Sequence, residues 1–278
     1  MHRTSCRLFL FPLLVAAAAG PLACATSGIN KGDLSLISIK EEWQLGQQLS
    51  TDIAKQKRIL DTPEINRYVT RMGEDIIAQA KGDTPVADQP WHFYVIDDDT
   101  VNAFNIPGGY VYLQSGLVAK ADTYAELMGV MAHECSHGLA RHGVENLTKQ
   151  YGIVMVASLV LGKNPAVYQE VLASVLANGA VSKFSRDAEA EADRLGARYM
   201  YDAGVNPEGM VNFFRVLLEL RQSRPSSIEQ FFASHPLTED RIKDVQNEVD
   251  GFAPKSLTTH DPGFAAFKEA VARAAAGS

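Results

Sequence analysis

Two histidines four residues apart, with a glutamate beside the first, stand at His133-Glu134-Cys135-Ser136-His137. On a helix this spacing projects both imidazoles from one face, so they can share one tetrahedral metal ion, with Glu134 alongside as general base. The chemistry open to such a set is hydrolysis: the metal lowers the pKa of water toward about 7, and the carboxylate takes its proton and later passes it to the leaving amine. A helix with two half-buried structural histidines would show the same five residues, so the surroundings must decide. Thr123-x-x-Glu126 is a capping-box signature, and the apolar-periodic run that follows carries a helix through Met131 and His137 to about Arg141.

A third ligand is required. His142 stands nine residues after His133, which on a continuous helix is about 180° around the axis, so His142 is read instead as a helix-end histidine near the negative pole of the dipole. The longer metzincin pattern is also unmet, because Ala140 and Gly143 occupy its Gly and His positions. The better source is Ser185-Arg-Asp-Ala-Glu-Ala-Glu-Ala-Asp-Arg-Leu-Gly196. On a helical wheel Asp187, Glu191, Arg194 and Arg198 form a mixed-charge stripe, and Glu189, Asp193, Gly196 and Met200 form another on the opposite side. If the first stripe faces water, the second faces inward, where two carboxylates need a cation. Glu189 as third ligand, with Asp193 one turn later accepting from a ligand histidine, meets that need.

The elements that must position these groups are legible in outline. Residues 37–57 and 62–81 read as bracing helices rich in Glu, Gln, Lys and spaced aliphatics. Trp91-His-Phe-Tyr-Val-Ile96 and Gly109-Tyr-Val-Tyr-Leu-Gln114 read as strands, with Pro107-Gly108-Gly109 as the breaker before the second. That second strand is the expected docking edge, where Gly109, Tyr110, Val111 and Tyr112 would bind an extended substrate by main-chain hydrogen bonds. The apolar stretches 152–161 and 165–181 are interrupted at Lys163-Asn164-Pro165, and each is shorter than the roughly 20 residues of a membrane span, so they are expected as buried or site-covering helices. Residues 185–203 form the acidic helix, Asn206-Pro207 starts the next, and an Ala-rich stretch at 256–278 is expected as a fraying tail.

With 46% hydrophobic and 21% charged residues the chain is an ordinary globular protein with one main domain, placed at 37–255. Residues 1–24 have the layout of a secretory leader, basic residues before an apolar run from Leu8 to Ala19, and 25–36 read as a polar tether. Two cleavage readings stay open: ordinary cleavage around Ala23-Cys24-Ala25, or a lipobox at Leu22-Ala23-Cys24 that would lipidate Cys24 and anchor the chain to the outer membrane. Of the three cysteines, Cys6 lies in the leader and Cys135 in the motif helix, so no disulfide framework is available despite export. Losing Arg3 and Arg7 with the leader takes the formal charge from −7 to −9, which excludes nucleic acid as a natural partner.

The His133-Glu-x-x-His137 motif followed by Glu189-x-x-x-Asp193 resembles the gluzincins of metallopeptidase family forty-eight, which contains HtpX and the CAAX prenyl endopeptidases. The exported, non-spanning BepA/LoiP-like branch is the nearest match. The resemblance extends through Asn102-Ala-Phe-Asn-Ile-Pro-Gly-Gly109, Ser185-Arg186, Ala203-Gly204 and Ser234-His235-Pro236 with Arg241, and departs at Asn105, where the family often has Ala. It implies an α+β, mostly helical zincin-type domain with a small β-sheet whose edge strand borders the active-site helix. It also implies one zinc ion per chain on His133, His137 and Glu189, and an endopeptidase of the periplasm acting on unfolded or misassembled polypeptides. By the same resemblance Asp193 is either the partner of a ligand histidine or a proton donor, and His235 either donates to the oxyanion or occupies the open zinc position as a gate. A rival from another class is a noncatalytic assembly factor holding outer-membrane proteins in the same groove, against which an intact Glu134 argues, since binding alone needs no base. A peptidase restricted to chain ends would need acidic groups to capture a free amine, and the sequence marks none. Oligomeric state leaves no mark in the sequence.

Overall fold

The computed structural model describes residues 29, 30, 37–180 and 182–277; the expected leader and the lipidation site Cys24 lie outside them. Helices dominate and three short strands form one mixed sheet, so the chain has the α+β class expected of it.

Helix α1 (Ile39–Gln56) begins at a capping box, in which the Ser38 hydroxyl accepts from the Glu41 N–H and the Glu41 carboxylate accepts from the Ser38 N–H. Helix α2 (Pro63–Gln79) begins at Thr62 with proline in the first turn, where the missing N–H is no loss. Then come β1 (His92–Ile96), β2 (Ala103–Ile106) and β3 (Tyr110–Gln114), in the spatial order β1-β3-β2. Strand β1 runs parallel to β3, and β2 pairs antiparallel with it through the turn at Pro107, Gly108 and Gly109. Both glycines there have positive φ, and Gly108 packs on Gly46 so closely that a Cβ on it would lie 3.0 Å from the Gly46 Cα.

This order overturns one expectation. β3 is the central strand, hydrogen-bonded on both sides, so Gly109, Tyr110, Val111 and Tyr112 have no free edge to offer a substrate. The edge beside the motif helix is β2, four residues that too short a pattern hid in the sequence. Successive β3 side chains alternate between two cores. Val111 and Leu113 face the larger one with Phe93 and Val95, whereas Tyr110 and Tyr112 face the smaller one with Phe104 and Ile106.

The remaining helices are α3 (Ser115–Lys120), α4 (Tyr124–Leu139), α5 (His142–Tyr151), α6 (Ile153–Val160), α7 (Pro165–Asn178), α8 (Arg186–Asp202), α9 (Glu208–Ser223), α10 (Glu229–Ser234), α11 (Glu239–Asp250) and α12 (Phe264–Ala276). Helices α5–α7 complete the smaller core with α1, and none of the described helices is long and apolar enough to cross a membrane. Helix α6 buries Val156, Leu159 and Val160 and leaves Ile153 and Val154 exposed. The C-terminal stretch expected to fray is the docked helix α12 instead. Phe264, Phe267, Ala270 and Val271 are buried, and Phe267 stacks on Tyr68 of α2 with ring centroids 4.4 Å apart.

Helix α4 is buried along its whole length between α8, α9 and the sheet. Its start is the expected capping box, with Thr123 Oγ1 accepting from the Glu126 N–H at 3.2 Å and Glu126 Oε2 accepting from the Thr123 N–H at 3.3 Å. Glycines allow the close approach: a Cβ on Gly129 would lie 2.6 Å from the Met210 Cα, and one on Gly196 3.2 Å from the His133 N. Gly129→Ala should therefore lower stability by about 1–3 kcal/mol, because overpacking outweighs the helix-propensity gain. Urea denaturation measures this, and an unchanged or higher midpoint would contradict the packing described.

Candidate metal centre

Helix α4 presents His133 and His137 on one face, α8 presents Glu189 and Asp193, and the residue after α10 is His235; all five side chains are buried. One donor atom each from His133, His137, Glu189 and His235 lies within 4.8 Å of the others. His133 Nε2 is 3.1 Å from His137 Nε2 and 3.3 Å from His235 Nδ1. Glu189 Oε1 is 3.3 Å from His137 Nε2 and 2.9 Å from His235 Nδ1. Donors about 2.0–2.1 Å from a tetrahedral zinc ion would stand about 3.3 Å apart, so these separations are those of its edges.

The protonation pattern supports the same fit. His133 Nδ1 lies 2.9 Å from Asp193 Oδ1, although off the line of a well-directed hydrogen bond, and His137 Nδ1 lies 2.9 Å from His142 Nδ1. With both Nδ1 atoms turned to partners, both Nε2 atoms aim at one point. Two converging lone pairs in a buried interior suit a cation there. Burial drives the His137 imidazole well below the ordinary histidine range, which keeps it in the neutral, ligating form. For Glu189, burial pushes the carboxyl upward, but His235, His137 and Arg241 outweigh it and hold it well below the usual carboxylate range.

Two residues that the sequence reading did not place in the site complete the surroundings. Arg241 of α11 is buried and donates to both Asp193 oxygens, from Nε at 2.7 Å and Nη2 at 2.8 Å, and from Nη1 to Glu189 Oε2. Charge balance was the signal that could have found it, since Glu134, Glu189 and Asp193 are three buried carboxylates, one negative charge more than a single divalent ion balances. The other is His142. Helix α4 stops at Leu139, the backbone turns left-handed at Arg141 with φ of 60°, and α5 starts at His142 with its ring turned back onto His137. The wheel placed it on the far side only because it assumed an unbroken helix.

Glu134 is fully buried, and neither carboxylate oxygen completes a well-formed side-chain hydrogen bond among the described residues. Turned toward it are the Asn105 main-chain N–H from the outer edge of β2 and His235 Nε2, 3.5 Å from Oε1. Burial raises its pKa, with His235 and His133 pulling the other way, which makes it a stronger base than an exposed carboxylate. Asp193 stands behind His133, tied to Arg241. Phe184 stacks on His137 with centroids 4.0 Å apart, its N–H donating to the Ser234 carbonyl at 3.1 Å, and Gly179 packs on Asn102 and Phe104.

Comparison with known proteins agrees with this geometry. The model of peptidase family M48 matches residues 63–249. The beta-barrel assembly-enhancing protease of Escherichia coli (strain K12) is 30% identical over 232 residues, 79% of this chain and 46% of that protein. The metalloprotease YcaL of the same organism is 25% identical over 227 residues, 81% of this chain and 86% of that protein. The mitochondrial metalloendopeptidase OMA1 of Schizosaccharomyces pombe is 29% identical over 180 residues, 64% of this chain and 51% of that protein. The chain spans about half the length of the beta-barrel assembly-enhancing protease it matches.

Proposed function

The chain belongs to peptidase family M48, and on that premise we propose that it is a zinc-dependent endopeptidase of the bacterial cell envelope, acting on extended segments of unfolded or misassembled proteins. The observation that carries the reading is the convergence of His133, His137 and Glu189 donor atoms beside the buried carboxylate of Glu134. His133, His137 and Glu189 would hold zinc, which when bound supplies a Lewis acid and lowers the pKa of water to about 7. Glu134 takes a proton from the attacking water and returns it to the leaving amine. Asp193 faces His133 Nδ1 and is held by Arg241, which favours a positioning role for the His133 ring over the proton-donor role.

An extended substrate pairs with the outer edge of β2, in place of the β3 docking expected from sequence. Asn102, just before β2, is buried with neither side-chain amide atom partnered among the described residues, which suits a site that receives peptide groups. Gly179 covers that edge in this conformation, so the turn after α7 has to move for a substrate to enter.

His235 supports a second reading of its own role. Its Nδ1 belongs to the four-atom cluster, which favours a gate at the fourth metal position over a donor to the oxyanion. Envelope location rests on the leader-like residues 1–24 and on the name of the beta-barrel assembly-enhancing relatives; lipidation of Cys24 belongs to the same proposal. Family membership and the intact base favour a protease over a noncatalytic assembly factor. Treatment with 1,10-phenanthroline should abolish casein cleavage, and added zinc should restore it. Cleavage that survives complete removal of metal would refute the assignment.

A further inference from the structure

Beyond the donor atoms, a chain of hydrogen bonds runs outward from His137. His137 Nδ1 meets His142 Nδ1 at 2.9 Å, and His142 Nε2 meets Glu191 Oε2 at 3.3 Å. The other Glu191 oxygen accepts from the Asn30 main-chain N–H at 2.8 Å. Asn30 is itself held by its side-chain amide, which donates to the Ala140 carbonyl at 2.9 Å and to Glu145 Oε2 at 3.1 Å.

Proton counting gives this chain one direction. An ionised carboxylate can only accept, so Glu191 holds the proton of His142 on Nε2 and leaves its Nδ1 as an acceptor. That acceptor places the His137 proton on Nδ1 and frees the His137 Nε2 lone pair, the atom that points at His133 Nε2. The arrangement parallels the one on His133, where Asp193 faces Nδ1 directly. The difference is reach: Glu191 lies on the outward stripe of α8, and His142 bridges the gap because the left-handed turn at Arg141 brings it back.

We infer that His142 and Glu191 are positioning residues for His137, fixing its tautomer and ring plane for metal binding, with Asn30 anchoring the outer end. The inference rests on His137 being a metal ligand. Its test is zinc affinity measured by chelator competition on the full protein, alongside the visible absorption of the cobalt-substituted form. His142→Phe keeps ring volume but removes the acceptor, Glu191→Ala removes the charge, and Glu191→Gln keeps an acceptor oxygen. Asp187→Ala, exposed on the same helix, is the control.

His142→Phe and Glu191→Ala should each weaken zinc binding by about 10–100-fold and shift the cobalt spectrum. Glu191→Gln should recover most of the affinity, and Asp187→Ala should match wild type. Affinities within twofold of wild type for both His142→Phe and Glu191→Ala would overturn the inference while leaving the metal site intact. If His142→Phe does not fold, Glu191→Ala decides, since Glu191 is part-exposed. A wild-type protein that binds no zinc would overturn the metalloprotease reading and this inference together.

Discussion

Glu134→Gln should retain one zinc per chain and lose casein cleavage by about 10²–10⁴-fold, the usual worth of a positioned general base. The substitution is nearly isosteric in a fully buried site, so packing is preserved. Metal binding is preserved as well, because the cluster of converging donors consists of His133, His137, Glu189 and His235 and does not include Glu134. What disappears is the ability to take a proton, since an amide does not. Zinc content by mass spectrometry and initial cleavage rates separate the two effects. A variant cleaving within threefold of wild type would remove Glu134 from the mechanism. A variant that lost its zinc would make Glu134 a ligand instead.

Arg241→Ala should cost the metal-free protein about 3–5 kcal/mol, the usual penalty for leaving a buried ion pair without one partner. The guanidinium serves Asp193 through two hydrogen bonds and Glu189 through a third, and all three side chains are buried. With zinc bound the loss should shrink, because the ion takes over part of the compensation at Glu189 but none at Asp193. Urea titrations with and without metal read both quantities. An equal, small change in the two conditions would mean that the carboxylates do not depend on Arg241.

How much of this was open to sequence reading follows from where periodicity reaches. The metal donors on α4 and α8 were legible because both helices keep an unbroken 3.6-residue period across them. The same period, together with charge, turned Glu189 and Asp193 inward. The bound of that method is Arg141: the helix end was expected about there, but the left-handed backbone of a residue that is not glycine has no sequence signal, so His142 was placed on the wrong side. The sheet fails for a different reason. Strand order is a matter of long-range pairing, so the strongest strand pattern, at 110–114, was taken for the edge when it is the centre. Ala103–Ile106, which does form the edge, is too short to show an alternation. The tail was misjudged because an Ala-rich run looks weak alone, although Phe264 and Phe267 give it a face to bury.

The account turns on a single ion held where these side chains meet, and anomalous diffraction from crystals at the zinc absorption edge tests it most directly. It predicts one peak per chain, about 2.0–2.2 Å from His133 Nε2, His137 Nε2 and a Glu189 oxygen. With His235 as gate, its Nδ1 completes the tetrahedron. A peak bound by other residues, or none in crystals grown with zinc, would contradict it.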